Sequence, residues 1–343
     1  MGAIIIKKKI FRALFFVVVI GLTIYGVFNG EDLSEIAEDI SNVDMRWIAL
    51  SVFMVVVFIY CESWIIRKFF RKLGIKAKRF ECFLYSCVGF FFSCVTPSAS
   101  GGQPAQMVYM RKNKISVGVS TNVLMCVTML YKLVLVLIGV VLWVFRIDFV
   151  AKYFGDSIWL FYLGVFLNVA CVALMLMVWF RSDWLESMGM GIISFLHKIH
   201  LLRGMDRYKD KLDRFIKGYD RSIEVVKGNA MLIVESFFIT LLQRVCLFSV
   251  TGFVYLSFGL RGFSFAEIVI LQSVISIAVD MLPLPGGTGI AEHLFKVAFC
   301  RIFTGELLLP AMVLSRGIAY YVQLIFCAVM TVVAHIYFRE NDE

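Results

Sequence analysis

Six stretches of this chain, near residues 10–28, 47–66, 117–145, 158–180, 230–258 and 308–338, are predominantly apolar. Each reaches the roughly 20 residues a helix needs to cross the hydrocarbon of a bilayer. Lipid offers no partner to a backbone N–H or C=O, so such segments must satisfy their own hydrogen bonds, as helices do. The expected fold class is an all-α polytopic membrane protein with six full spans. Composition agrees: 60% of the 343 residues are hydrophobic and mean hydropathy is +0.85, whereas a soluble domain is about half apolar. Five prolines and no Ser/Gly-rich stretch leave no second soluble domain in view. Residues 1–343 therefore read as a single integral membrane domain.

A formal charge of +9 invites comparison with nucleic-acid binders, but the basic residues cluster beside the apolar runs. That is the pattern of cytoplasmic loops, so nucleic acid is not an expected direct partner. Cys61, Cys82, Cys87, Cys94, Cys126, Cys171, Cys246, Cys300 and Cys327 all fall in apolar segments without a C-x-x-C pair. They read as free thiols filling a core. The opening "MGAIII" lacks the hydroxyl residue of a myristoylation signal, and no small-residue cleavage site follows the first run, which reads as a retained signal anchor.

Lys7, Lys8, Lys9 and Arg12 place the N-terminus in the cytoplasm, and the acidic "NGEDLSEIAEDISNVDM" belongs outside. After the second span "RKFFRKLGIKAKR" is inside again. If "ECFLYSCVGFFFSCV" then crossed fully, Arg111, Lys112 and Lys114 would lie outside. So would the loop 181–229, with Arg203, Arg207, Lys209, Lys211, Arg214, Lys217 and Arg221. A re-entrant hairpin over 80–110, its tip in the Pro97–Pro104 stretch, avoids both violations. A second Pro/Gly break, "MLPLPGGTGI", places a second hairpin over 264–303, entering from outside. The last span then ends inside at "FRENDE". The first half, 1–145, and the second, 158–338, thus carry similar breaks entering from opposite faces. Such an inverted repeat of broken helices is how many transporters build a site at the bilayer midplane. Two ordinary surface loops that both contain Gly-Gly are the competing reading.

Ionisable residues within spans are costly to insert and suggest function. Lys132, Arg244 (beside Gln243) and Arg316 (followed by Tyr320 and Gln323) lie deep in their runs; Asp280 and Glu292 flank the second break. One reading is a set of internal ion pairs. The other is an anionic headgroup site, with Arg244 and Arg316 forking onto a phosphate and Lys132 as a point charge. Gly101, Gly102, Gln103, Gly286 and Gly287 would line the breaks, and helix starts after Gly102 and Gly287 would add free N–H donors. Asp280 and Glu292 are also candidates for ion pairing or proton transfer. Glu62, Glu81, Glu235 and His335 are expected near the interfaces, in structural roles. His197, His200 and His293 show no metal-ligand spacing, and neither a metal nor a cofactor is expected. With no nucleotide-binding glycine loop, any driving force would be a gradient or simple equilibration.

Within the cytoplasmic segment 181–229, Tyr208, Leu212, Phe215, Tyr219, Ile223 and Val226 recur at helical spacing opposite a charged face. This amphipathic helix would lie against anionic lipid or pack on neighbouring loops.

"TPSASGGQPAQMVYM" and "LPLPGGTGIAEHLF", in this order and at this spacing, resemble the lysylphosphatidylglycerol synthase transmembrane family. This flippase-like region forms the N-terminal part of the multiple peptide resistance factor and also occurs as stand-alone proteins. Pro97, Gly101, Gly102, Gln103 and Pro104 match the first signature; Pro285, Gly286, Gly287, Gly289 and Glu292 match the second. Gln103 and Gln106 stand where many members look more charged. The resemblance implies a protein of the bacterial cytoplasmic membrane, both termini cytoplasmic, handling lipids with anionic or aminoacylated headgroups. Its name would imply phosphatidylglycerol lysyltransfer, but the chain ends at Glu343 without a soluble acyltransferase domain. The expectation is a lipid translocase. The alternatives are the membrane part of a lysyltransferase served by a separate soluble aminoacyltransferase, and a non-transporting scaffold.

Overall fold

A computed structural model describes residues 42–96, 99–198, 205–282, 289–303 and 305–340. The expected first span, 10–28, lies outside the described residues, as do Pro97, Pro283, Pro285, Gly286 and Gly287. Among the described residues regular structure is helical throughout, and five helical segments are long and apolar enough to cross a membrane.

The scaffold is an antiparallel pair of long helices, α1 (Met45–Lys72) and a helix eight helices later in the chain, α9 (Ala230–Ser257). Asp44 starts α1 by accepting a hydrogen bond from the Arg46 N–H at 2.9 Å, and Arg71 and Lys72 sit in its last turn, where the helix dipole favours cations. The Asp44 N–H donates to the Ser257 carbonyl at 2.9 Å, while Lys68 pairs with Glu235 at the opposite end. The two contacts fix the antiparallel register over the length of the pair. We call the Lys72 end the basic end and the Ser257 end the far end.

At the basic end, a short connection leads into α2 (Arg79–Val95), whose first turn is closed by Glu81 accepting from the Lys78 N–H at 2.8 Å. The chain breaks at Thr96 and resumes as α3 (Gly102–Lys112). Gln103 and Pro104 are therefore helical, and the turn is shorter than the Pro97–Pro104 stretch expected from sequence. Proline is tolerated there because the first turn of a helix has N–H groups without intrahelical partners. The two arms lie side by side. A Cβ on Gly102 would sit 2.1 Å from Ser93 Oγ, one on Gly89 would strike the Gln106 side chain, and Asn113 Nδ2 donates to Tyr85 Oη at 2.8 Å.

From Lys112 the chain enters α4 (Val117–Phe145), which runs to the far end. A short helix, α5 (Ile147–Phe154), follows, and then the long α6 (Ile158–Phe180), which returns alongside α4. Gly139 meets Val165, and Trp179 Nε1 donates to Asn122 Oδ1 at 2.9 Å. The segment 181–229 forms α7 (Ser182–Lys198) and α8 (Met205–Lys227). Tyr219, Ile223 and Val226 of α8 are buried, and its backbone at Phe215 and Tyr219 crosses Gly118 of α4 so closely that a Cβ there would lie 2.2 Å from the Phe215 oxygen. One side of α8 thus packs on the bundle.

After α9, Ser264 and Glu267 form a capping box that starts α10 (Phe265–Val279). The chain breaks after Leu282 and resumes as α11 (Ile290–Phe299). Phe303, just past α11, packs edge-on against Tyr255 near the end of α9, and the Phe263 N–H donates to Tyr255 Oη at 2.9 Å. Both outer ends of this second hairpin therefore lie at the far end, whereas those of the first lie at the basic end. The last element is one long interrupted helix: α12 (Leu308–Arg316), a π-helical stretch Gly317–Val322, and α13 (Gln323–Glu340). It returns to the basic end, where Tyr337 and Phe338 meet Phe80 and Tyr85. All nine cysteines are free thiols, and most are buried.

Candidate functional site

The broken helices point their interruptions at one another. Between them lies a cavity of about 650 Å³, lined by the tip of the first hairpin (Ala99, Ser100, Gln103), the shoulder of the second (Asp280, Met281, Leu282), and side chains from α1, α4, α9 and α12. Lys132, Arg244 and Arg316 all face it. The three come from helices far apart in sequence and are brought to one space by the α1–α9 scaffold.

Two of the three cations are matched. Lys132 donates to Asp280, which also accepts from the Tyr131 hydroxyl; both partners of the ion pair are nearly buried. Arg316 Nη2 lies 2.7 Å from Glu292 Oε1, and Glu292 also takes the Gly289 N–H. The expected free donors at the start of α11 are therefore partly used: the carboxylate three residues on turns back to cap them. At the start of α3 the corresponding N–H, that of Gly101, is taken by the uncharged Thr96 hydroxyl. Sequence reasoning offered ion pairs or an anion site, and the geometry divides the residues between the two.

Arg244 forms no salt bridge among the described residues. It is 8% exposed, and its Nε is buried without a hydrogen-bond partner. Its guanidinium lies 4.0 Å from the ring centroid of Tyr131 and 4.8 Å from that of Phe58, so two aromatic faces hold it in place. Neighbouring Gln243 is pinned by donating to the Phe58 carbonyl at 3.1 Å. A fixed guanidinium that lines the cavity, with an unpaired Nε, is suited to a forked bond to phosphate or carboxylate.

The first hairpin is tied in by neutral donors. Gln103 donates to Thr128, and Gln106 Nε2 donates to Glu62 Oε1 at 2.8 Å. Glu62 thus lines the cavity, near enough to Arg244 to act on its charge. Its helix continues ten residues further, to Lys72, which at 1.5 Å per residue puts Glu62 about 15 Å below the helix end. Glu81 and Glu235 do lie at helix ends, as caps or pairs. In the π-helical stretch Tyr320 donates to the Cys94 carbonyl at 2.7 Å, tying the last helix to the first hairpin's tip. Single π turns within helices recur at functional sites.

Of the other residues singled out from sequence, Gly101 donates its N–H to Thr96 Oγ1 at 2.8 Å, and Gly102 forms the closest approach between the arms. Gly286 and Gly287 lie outside the described residues. Tyr131, Phe58 and Gln272 were missed. Gln272 accepts from Thr251 Oγ1 at 3.1 Å and lines the cavity; an amide inside the apolar "EIVILQSVISIAV" was the available signal.

Five long apolar helices in an otherwise helical fold define the chain as a helical membrane protein. Its residues 9–327 match the model of the family described as "Lysylphosphatidylglycerol synthase TM region", so the chain belongs to that family. No curated protein matches it in a sequence search.

Proposed function

We propose that this protein is a lipid translocase of the flippase type. Its substrate is a phospholipid with an anionic or aminoacylated headgroup, or a polyprenyl phosphate. The headgroup passes through the central cavity between two re-entrant hairpins, in a bacterial cytoplasmic membrane with both chain termini on the cytoplasmic side. Arg244 carries the reading: a buried cation with no salt bridge among the described residues, held between Tyr131 and Phe58, costs too much to keep inside an apolar protein without a use. A headgroup phosphate would take its free donors, and the ammonium of an aminoacyl group would meet Glu62 across the same space. Lys132 and Arg316, matched by Asp280 and Glu292, tie the second hairpin to the scaffold.

The test follows headgroup-labelled phosphatidylglycerol, lysyl-phosphatidylglycerol and undecaprenyl phosphate across proteoliposome membranes. Wild type is compared with folded Arg244→Ala and Gly102→Leu variants. Movement of one lipid, abolished by both changes, is the expected result. Movement that appears only when a soluble aminoacyltransferase is supplied would instead assign the chain to the membrane half of a lysyltransferase. Arg244→Ala altering stability alone, with no lipid moved by wild type, would leave a scaffold.

A further inference from the structure

A second cationic pocket lies away from the central cavity, where α1 meets the start of α2. It is about 210 Å³ in volume and is lined by Tyr60, Ser63, Trp64, Arg67 and Arg79. Arg67 Nε is buried there without a hydrogen-bond partner, and neither Arg67 nor Arg79 forms a salt bridge among the described residues. The nearby charges are already committed. Lys68, 6.0 Å above the Trp64 ring, pairs with Glu235, and Glu81 accepts from the Lys78 N–H. The pocket therefore presents two unmatched guanidinium groups.

Its position says what kind of anion it meets. The apolar run of α1 ends at Ile66, one residue before Arg67, so the pocket sits where hydrocarbon gives way to headgroups. Tyr60 and Trp64, one turn apart, are 47% and 44% exposed, as in an interfacial aromatic belt. Two turns deeper on the same face, Phe53 is 56% exposed. Together they form a strip running from the pocket down the outer surface of α1, in line for an acyl chain. The volume suits a headgroup phosphate, and the strip accommodates the tails outside it.

We propose that this pocket binds the phosphate of one anionic phospholipid from the leaflet at the basic end, as a resident lipid distinct from any lipid in the central cavity. Arg67 and Arg79 fork onto the phosphate, and the tail lies along Trp64, Tyr60 and Phe53. The site stands independently of lipid translocation.

Native mass spectrometry of the intact protein in micelles would measure binding of phosphatidylglycerol and phosphatidylcholine, with inorganic phosphate as competitor. One arginine near a charged membrane surface contributes about a fivefold change in affinity. Arg79→Gln, at an exposed position, is expected to weaken phosphatidylglycerol binding about fivefold, and Arg67→Gln with Arg79→Gln further, with phosphatidylcholine unaffected. Arg244→Gln should leave this binding in place. Unchanged phosphatidylglycerol binding in Arg79→Gln would overturn the proposal. So would equal loss of both lipids, loss on Arg244→Gln instead, or displacement of the lipid by millimolar inorganic phosphate, which would make this a free-phosphate site.

Discussion

The two hairpins hold interrupted helices in the interior by different chemistry. In the first, the arms touch through glycine and serine: Gly89 lies under Gln106 and Gly102 against Ser93. Its outward bonds are donated by uncharged groups, Gln103 to Thr128 and Gln106 to Glu62. In the second, both shoulders of the break end in carboxylates, Asp280 before it and Glu292 after it, and each is held by a cation from another helix. An amide bond is indifferent to an incoming phosphate. An ion pair is not, because the phosphate competes directly for the cation. A phosphate placed in the cavity would therefore compete for the ties of the second hairpin and leave those of the first.

The strongest way to break this comparison is to cut one tie of the second hairpin. Lys132→Met strands Asp280, and Asp280→Leu strands Lys132; breaking a buried pair on one side costs about 3–5 kcal/mol. Replacing both together removes the stranded charge and should recover most of that loss. Reversible unfolding in mixed micelles would measure all three variants. A double variant as unstable as either single one would mean that the pair does not act as a unit.

Next in size are the glycines, which separate a contact effect from a dihedral one. Gly102→Ala would push a methyl against Ser93 Oγ and to 2.7 Å from the Gly89 carbonyl oxygen, which is backbone and cannot rotate away. Overpacking of this kind costs about 1–3 kcal/mol. Gly289 has open space around its would-be Cβ but a φ of +85°. Gly289→Ala should lose about 1 kcal/mol through backbone strain alone. The two are told apart by Ser93→Gly, which relieves part of the Gly102→Ala loss and none of the Gly289→Ala loss.

Hydropathy located the long helices well because a bilayer enforces length: 117–145 and 158–180 coincide with α4 and α6, and α9 ends one residue short of 258. It also marked where α2 and α10 stop, since Pro and Gly cannot continue a helix there. Pairing was not legible. Nothing in "MLYKLVLVL" says that Lys132 meets a carboxylate almost 150 residues away, or that Tyr131 will serve both Asp280 and Arg244. Those partners are set by how α4, α9 and α10 cross. Nor does the sequence say that Glu62, between Tyr60 and Trp64, lines the cavity and takes the Gln106 amide.

The smallest expected effect sharpens the comparison from the other side. Gln103 ties α3 to α4 through Thr128, and losing one neutral hydrogen bond costs about 0.5–1.5 kcal/mol net. Gln103→Ala should fall in that range, well below a single break at Lys132. The gap in stability between Gln103→Ala and wild type should also stay the same when phosphate-bearing lipid is added, because no charge is exposed by the change. The Lys132→Met variant should respond differently, since it removes the cation that a phosphate would compete for. If Gln103→Ala proved as damaging as Lys132→Met, the first hairpin would depend on its hydrogen bond to Thr128 rather than on the Gly102–Ser93 contact. The contrast between a zipped hairpin and a latched one would then be lost.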